Sequence, residues 1–439
     1  MCIRDRSSTD LAETVHEAFY IAQEGRPGPV LIDIPRDVQM ELTDAIFPEI
    51  IPPTDTEVSE EASVGLRDAA RLINEAERPL IISGHGVMTS GANKELLSLA
   101  ERSGIPVITT LLGLGSFPSG HPLSMGMLGM HGMYWSNISV DQADLIVGVG
   151  MRFDDRVTGK VDTFAPHARI VHMDIDPSQI GRNVPVEIPI VGDAKTLLKN
   201  LAPMVTNVPR PDWMQYIENL KRDHPSLSIP ASDVLQPQQV ISAMDALVQE
   251  NPDTTIVTGV GQHQMWAAQF LSFNHENTFV SSGGLGAMGF ELPAALGVQV
   301  AKPEAPVWVV AGDGGFQMTL QELVTLTEEG LPVKIALINN GHLGMVKQWQ
   351  EMYYDGHLKA VPVDGPDFIK LAEAYGVNAT RVTEYEDVLP ALRQAQAHDG
   401  PFLVEFVVDS STNVYPMVPP GGSLADTIED PAPARNALD

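Results

Sequence analysis

Cysteine is almost absent from this chain, with one residue, Cys2, in 439. A single thiol excludes an internal disulfide and a cysteine metal cluster. Basic side chains are also scarce, 27 lysines and arginines against 57 acids, for a net charge of −30. Such a surface favours solubility and repels nucleic acid and anionic membrane, so neither is expected as a partner. A phosphate-bearing ligand would have to be held by backbone dipoles or a metal ion rather than by a positive field. Long apolar runs are missing too. None reaches the ~18 residues of a membrane span, and the start carries no signal-peptide pattern. A soluble cytoplasmic protein is expected. Its 44% hydrophobic and 19% charged residues are an ordinary globular mixture, and its length fits two or three domains.

Leu11, Val15, Phe19 and Ala22 recur at helical spacing and stop at Gly25, and PGPVLIDIP (27–35) has the make-up of a buried strand. Residues 1–47 are therefore expected to be the last helix and strand of an α/β unit. The opening MCIRDR fits no pattern that follows and suggests a truncated gene model. A proline-rich acidic stretch (46–63) supplies a linker, placed at 48–65. From 66 to 204 helices alternate with PLIIS, PVITT, ADLIVGVG and ARIVHMDI. A polar, proline-bearing linker follows at 205–237. The alternation resumes over 238–411 with TTIVTGV, NTFVSS, VWVVAGD, VKIALINN and FLVEFVVD, before a loop-like tail at 412–439. Strands alternating with helices predict α/β domains, each a doubly wound parallel sheet.

The strongest chemical signal is AGDGGF (311–316) followed by INN (338–340). Gly312, Asp313 and Gly314 form a tight turn after a strand, where glycines let backbone N–H groups approach a ligand. A helix follows with Phe316, Leu320, Leu323 and Val324 on one face, ending at Gly330 and Pro332. The next strand delivers Asn339 and Asn340. A right-handed βαβ unit sets these strand ends side by side, so Asp313 and Asn340 converge. One carboxylate and one amide oxygen, together with backbone and diphosphate oxygens, suit octahedral magnesium. Gly-Asp-Gly alone recurs in ordinary turns; the asparagine pair at this spacing makes it the motif of thiamine-diphosphate enzymes.

GVGQHQMWAAQF (259–270), SSGGLGAMGF (281–290), NNGHLGMVKQWQ (339–350), LLGLGSFP (111–118), MLGMHG (127–132), GMRFDDRVTGK (150–160) and YPMVPPGG (415–422) resemble the catalytic subunit of the acetolactate synthase family. The resemblance runs from about Leu11 to Asp430. It implies that Gln262 and His263 contact the diphosphate, and that Asp313, Asn340 and the backbone oxygen of His342 hold magnesium. Gly286 and Met288 would meet the aminopyrimidine by backbone groups, with the Met288 side chain bending the cofactor and Ala287 between them also in the implied cofactor set. Gly314, Gly315, Gly341, Leu343, Gly344 and Met345 complete the implied cofactor set. The implied reaction is decarboxylation of pyruvate and condensation with a second pyruvate or with 2-ketobutyrate, the first common step of branched-chain amino acid synthesis. Arg156 and Trp349 would position the acceptor, a guanidinium suiting a carboxylate and an indole covering an ethyl group. Taken singly, Trp349, Met288 and His263 are equally well read as packing residues.

Gly84 and Gly86 after PLIIS look like a nucleotide turn, and Asp174 could bind a ribose, but the third fingerprint glycine is missing and an NAD dehydrogenase is a poor fit. The resemblance instead implies FAD without net redox chemistry, held by Gly84, Gly86, Thr110, Leu111, Leu128, Gly129, Met130, His131, Gly150, Met151, Arg152, Phe153, Asp154, Asp174, Ile175 and Asp193. It also implies at least a homodimer and a small regulatory subunit. The family's catalytic glutamate would precede Arg26, and no acid in 1–47 matches it, so the chain as written is expected to be inactive. Glu291 stands where the family usually has glycine. Other FAD-containing thiamine enzymes, such as glyoxylate carboligase and pyruvate oxidase, and a non-catalytic cofactor-binding paralogue are the rival readings.

Overall fold

The computed structural model of the protein describes residues 2–4, 7–44, 46–49, 57–229 and 231–430. Among these residues fourteen strands fall into three sheets, all parallel. A two-stranded sheet pairs β1 (Cys2–Arg4) with β2 (Leu31–Asp33). A central six-stranded sheet contains β3 (Pro79–Ser83), β4 (Val107–Thr109), β5 (Ser124–Met127), β6 (Leu145–Val149), β7 (Arg169–Asp174) and β8 (Ile188–Val191). Its order is β5-β4-β3-β6-β7-β8. The last sheet contains β9 (Thr255–Thr258), β10 (Phe279–Ser281), β11 (Val307–Gly312), β12 (Lys334–Asn339), β13 (Asn378–Val382) and β14 (Phe402–Val407). Here the order is β10-β9-β11-β12-β14-β13. The α/β class with doubly wound parallel sheets agrees with the alternation in the sequence.

The central order places the first strand, β3, beside the fourth, β6, which is the switch point where parallel sheets open a crevice at their carboxyl ends. Inner strands β3 and β6 are buried along their length, as continuous apolar runs require when helices cover both faces. Within the two six-stranded sheets, the strands that the sequence does not announce are the edges β5, β8 and β13. SMGM, IPIV and NATRV carry glycine, proline or polar residues that dilute an apolar run.

Several elements depart from expectation. Cys2–Arg4 of the opening MCIRDR pairs with β2 and so shares a βαβ arrangement with it. The strand read as buried within 27–35 is short, and Leu31 is exposed, because in a two-stranded sheet little packs on its faces. The helix Leu11–Gln23 forms, yet its buried residue is Ala18, and Phe19 of the predicted inner face is 67% exposed. In the first linker, Ser59 caps the helix Glu60–Glu75 by accepting from the Ala62 N–H; residues 50–56 lie outside the described residues. The segment 205–237 holds the helix Pro211–Asp223, whose Trp213 and Ile217 bury against the central sheet.

Just before that helix, Arg210 is buried and donates to four backbone carbonyls, those of Ile73 (2.6 Å), Ala76 (2.8 Å), Ser103 (2.9 Å) and Val208 (3.0 Å). Three of these lie at the carboxyl ends of the helices Glu60–Glu75 and Asn93–Ser103. A guanidinium there satisfies orphan carbonyls and meets the negative end of two helix dipoles. Arg210→Met should therefore destabilise the protein by about 3 kcal/mol, read as a lower denaturation midpoint; an unchanged midpoint would show that Arg210 is dispensable to the fold.

Candidate functional site

Parallel pairing puts the carboxyl ends of β9, β11 and β12 in one row. Each end gives way to a turn rich in glycine. After β9 the turn Gly259-Val260-Gly261 leads into the helix Gln262–Phe270. After β11 comes a helix of four residues, Asp313–Phe316, then a 3-10 turn Leu320–Glu322 and a second short helix Leu323–Glu328. The single helix expected after Phe316 is thus interrupted, and Val324 of its predicted face is exposed.

Asp313 is buried, and one carboxylate oxygen, Oδ2, has no hydrogen-bond partner. Burial pushes its carboxyl up to about 6, opposed by the N–H groups of Gly314, Asp313 and Gly341. The Gly341 N–H belongs to the turn after β12, so Asp313 and the asparagine pair do converge across the sheet. A buried oxygen with no donor is what a bound cation would satisfy. The donor set fits magnesium, with one carboxylate, the Asn340 amide oxygen and backbone oxygen, leaving positions for phosphate. Among the described residues no cluster of three acidic, histidine or cysteine side chains offers a metal site.

The two asparagines do different work. Asn340 faces the site, its Oδ1 accepting from the His342 N–H (3.1 Å) and its Nδ2 donating to Gln262 Oε1 (3.2 Å). Asn339 faces away. It donates to Glu405 (2.8 Å) and accepts from the Gly341 N–H (3.1 Å), shaping the turn in which Gly341 adopts φ +68. Glu405 is in turn held by Arg381 at 2.7 Å. Backbone bonds from Leu343 to Val361 and from Val363 to Gly341, both 2.8 Å, staple this turn from outside. At Gly344 a Cβ would lie 1.9 Å from Gln262 Oε1, so a side chain there would drive the glutamine off Asn340. Glu405 escaped the sequence reading, although an acid inside the apolar run FLVEFVV signals a buried partner.

His263 is buried against the β11 turn, where a Cβ on Gly312 would lie 2.7 Å from its Nδ1. Burial lowers its pKa to about 4, leaving a neutral ring whose Nε2 lacks a partner. Gly283 to Ala287 form an exposed loop, Leu285 being 92% exposed, that is tied back by Ser282 accepting from Gly286 and Ala287; Met288 is half-buried. Met345 and Leu343 flank the entry to the helix Gly344–Tyr353. Trp349 on that helix is half-buried, edge-on to Tyr353 at 5.6 Å. Arg156 lies in the central domain with its side chain 67% exposed, facing Asp155 at 3.7 Å. The structure thus sets Trp349 on the helix that follows the β12 turn and Arg156 on the helix Asp155–Thr158 after β6.

Residues expected to bind FAD all stand at or just after the carboxyl ends of strands of the central sheet. Gly84 and Gly86 follow β3, Thr110 and Leu111 β4, Leu128 to His131 β5, Gly150 to Asp154 β6, Asp174 and Ile175 β7, and Asp193 β8. They ring the carboxyl end, around the switch point. A Cβ on Gly84 would lie 2.2 Å from the Gly150 oxygen, so these glycines let the β3 and β6 turns press together. His131 is buried, with its Nδ1 unpartnered and its pKa lowered to about 4. Asp193 caps the helix Ala194–Leu201 through the Thr196 N–H, a structural task of its own.

Residues 259–406 match the model of the thiamine pyrophosphate enzyme C-terminal TPP binding domain, and residues 66–201 that of the central domain of the same enzymes. The chain is 46% identical to the acetolactate synthase large subunit of Corynebacterium glutamicum, over 95% of this chain and 68% of that protein. It is 44% identical to a probable acetolactate synthase large subunit of Methanocaldococcus jannaschii, over 96% and 73%. With acetolactate synthase 1, chloroplastic, of Zea mays the figures are 40%, 96% and 68%. The chain belongs to the acetolactate synthase large-subunit family. It is a thiamine-diphosphate enzyme by both its domains and its relatives, and among its described residues no helix is long and apolar enough to cross a membrane.

Glu291 opens the helix Glu291–Ala301 as a buried acid. It has no exposed surface, and its carboxylate is wedged where a Cβ on Gly259 would lie 2.5 Å from it and one on Gly315 3.2 Å. Neither oxygen has a well-formed hydrogen bond, and burial pushes the carboxyl up to about 7, against nearby N–H groups of Glu291 and Gly289. An acid whose folded pKa is raised opposes folding once ionised. Stability is therefore lost as pH rises from about 4.5 toward 7 and beyond. Glu291→Gln should gain on the parent over that window, the difference in unfolding free energy growing by up to about 3 kcal/mol between pH 5 and pH 8. A difference independent of pH in paired melts would show that Glu291 stays ionised.

Proposed function

We propose that this protein is an acetolactate synthase that condenses pyruvate with a second pyruvate, or with 2-ketobutyrate, as the first common step of branched-chain amino acid synthesis in the cytoplasm. The observation that carries the reading is the convergence of the unpartnered Asp313 Oδ2 with Asn340 and Gln262 at three adjacent strand ends. Asp313 and Asn340 would hold magnesium, with the backbone oxygen of His342, while Gln262, His263 and the glycine turns would receive the diphosphate. Neutral His263 suits that place because its free Nε2 can carry a hydrogen toward a phosphate oxygen. The chemistry supplied by bound thiamine diphosphate is an electron sink for the pair released when a 2-keto acid loses carbon dioxide.

The rest falls to the protein. Met288, on its half-exposed loop, supports the cofactor ring; Arg156 orients the carboxylate of the acceptor; Trp349 covers its alkyl group. FAD would occupy the crevice at the central switch point in a structural role. A homodimer or larger homo-oligomer with a small regulatory subunit completes the reading. The protein produced as its source gene encodes it should form 2-acetolactate from pyruvate with thiamine diphosphate, magnesium and FAD. Asp313→Ala should lower that rate by about a hundredfold or more. A folded, cofactor-loaded protein that makes no acetolactate would move the assignment to a sister carboligase.

A further inference from the structure

Gln348 has no exposed surface, although it lies on the helix Gly344–Tyr353 between the aqueous-facing Val346 and Gln350 side of that helix and the trailing segment after β14. Its amide is held from one side by a single backbone unit. The Val414 N–H donates to Oε1 at 2.9 Å, and Nε2 donates to the Val414 carbonyl at 2.9 Å. A glutamine clamped by a donor and an acceptor of the same residue cannot exchange its oxygen and nitrogen without losing both bonds. Oε1 is thereby aimed at Gln262, whose Nε2 donates to it at 3.1 Å, the shortest of three bonds, those to the Thr412 carbonyl and Asn413 Oδ1 being 3.4 Å. With its nitrogen turned toward Gln348, Gln262 presents Oε1 to Asn340 Nδ2, and Asn340 in turn keeps its own oxygen on the opposite side.

The four residues form a chain of amides with one direction, beginning at the Val414 backbone unit and finishing at the Asn340 oxygen that accepts from the His342 N–H. We propose that Gln348 is a positioning residue for the metal and diphosphate site, fixing which way the amides of Gln262 and Asn340 point. Gln348 itself touches neither ion nor cofactor. Without it, Gln262 can turn over and set its NH2 against that of Asn340, a repulsive pairing relieved by Asn340 turning its nitrogen toward the metal position. The segment around Val414 is well placed as the anchor, since it is fixed to the central domain as well: Val418 donates to the Met130 carbonyl at 2.8 Å and Gln269 donates to the carbonyls of His131 and Tyr415. This inference rests on the thiamine-diphosphate and magnesium reading of the site.

The test is binding, not turnover. Titration of the parent chain with thiamine diphosphate at fixed magnesium, followed by tryptophan fluorescence or calorimetry, should give a defined Kd. Gln348→Met, similar in volume but without an amide, should raise that Kd by about tenfold or more and increase the magnesium needed for half-saturation. Gln348→Glu, which still accepts from Gln262 and when protonated donates to the Val414 carbonyl, should bind within about threefold of the parent. Should the methionine variant not fold, Gln348→Asn, whose shorter amide cannot span Gln262 and Val414 together, should likewise raise the Kd by about tenfold. Unchanged Kd in whichever of these variants folds, with only a lower melting temperature, would overturn the positioning role and leave the cofactor reading intact. Absence of binding by the parent would overturn that reading and this inference with it.

Discussion

Everything at the site depends on parallel strand pairing. Because β9, β11 and β12 run the same way in adjacent places, their carboxyl ends form one rim, and the turns that follow face one another. The backbone supplies N–H groups there, such as those of Gly314 and Gly341 that face the Asp313 carboxylate. This matters in a chain with so large an excess of acids, where a general positive field for phosphate is not on offer. Glycines at the rim let the turns approach closely enough for Asp313, Gln262 and Asn340 to share one small volume.

Buried polarity around that rim is arranged in layers. At the rim itself, Asp313 Oδ2 and His263 Nε2 are left without hydrogen-bond partners. Behind them, Asn339 with Glu405 and Arg381, and Gln262 with Gln348 and Val414, form bonded groups that fix the direction of each donor and acceptor. Unsatisfied buried groups oppose folding unless a ligand completes them, whereas the satisfied layer rigidifies the turn. Glu291 breaks this division, being buried and poorly bonded against Gly259 and Gly315, and its elevated pKa follows from that burial.

The central sheet repeats the logic at its own switch point, where the β3 and β6 turns touch through Gly84 and Gly150. Two sheets become one unit through the segment after β14, which the sequence presents as a loop-like tail. Its conformation is set by hydrogen bonds to Met130, Lys160 and Asn137 on one side and to Gln348 and Gln269 on the other. Such irregular backbone has no periodicity to reveal it.

The sequence by itself determined the α/β class, the inner strands and the motif that names the family. Apolar runs such as PLIIS and VWVV have one physical solution, a strand covered on both faces, and Gly-Asp-Gly with the asparagine pair fixes a turn chemistry at a known spacing. Edge strands β5, β8 and β13 were not legible, since an edge tolerates the glycine, proline and polar residues that mask a strand. Nor was the helix Pro211–Asp223 legible inside its polar linker, because only Trp213 and Ile217 bury. The partners of Gln348, Glu405 and Arg210 were decided by tertiary structure alone: a buried amide, acid or guanidinium is defined by the group it meets, and those groups lie tens of residues away along the chain.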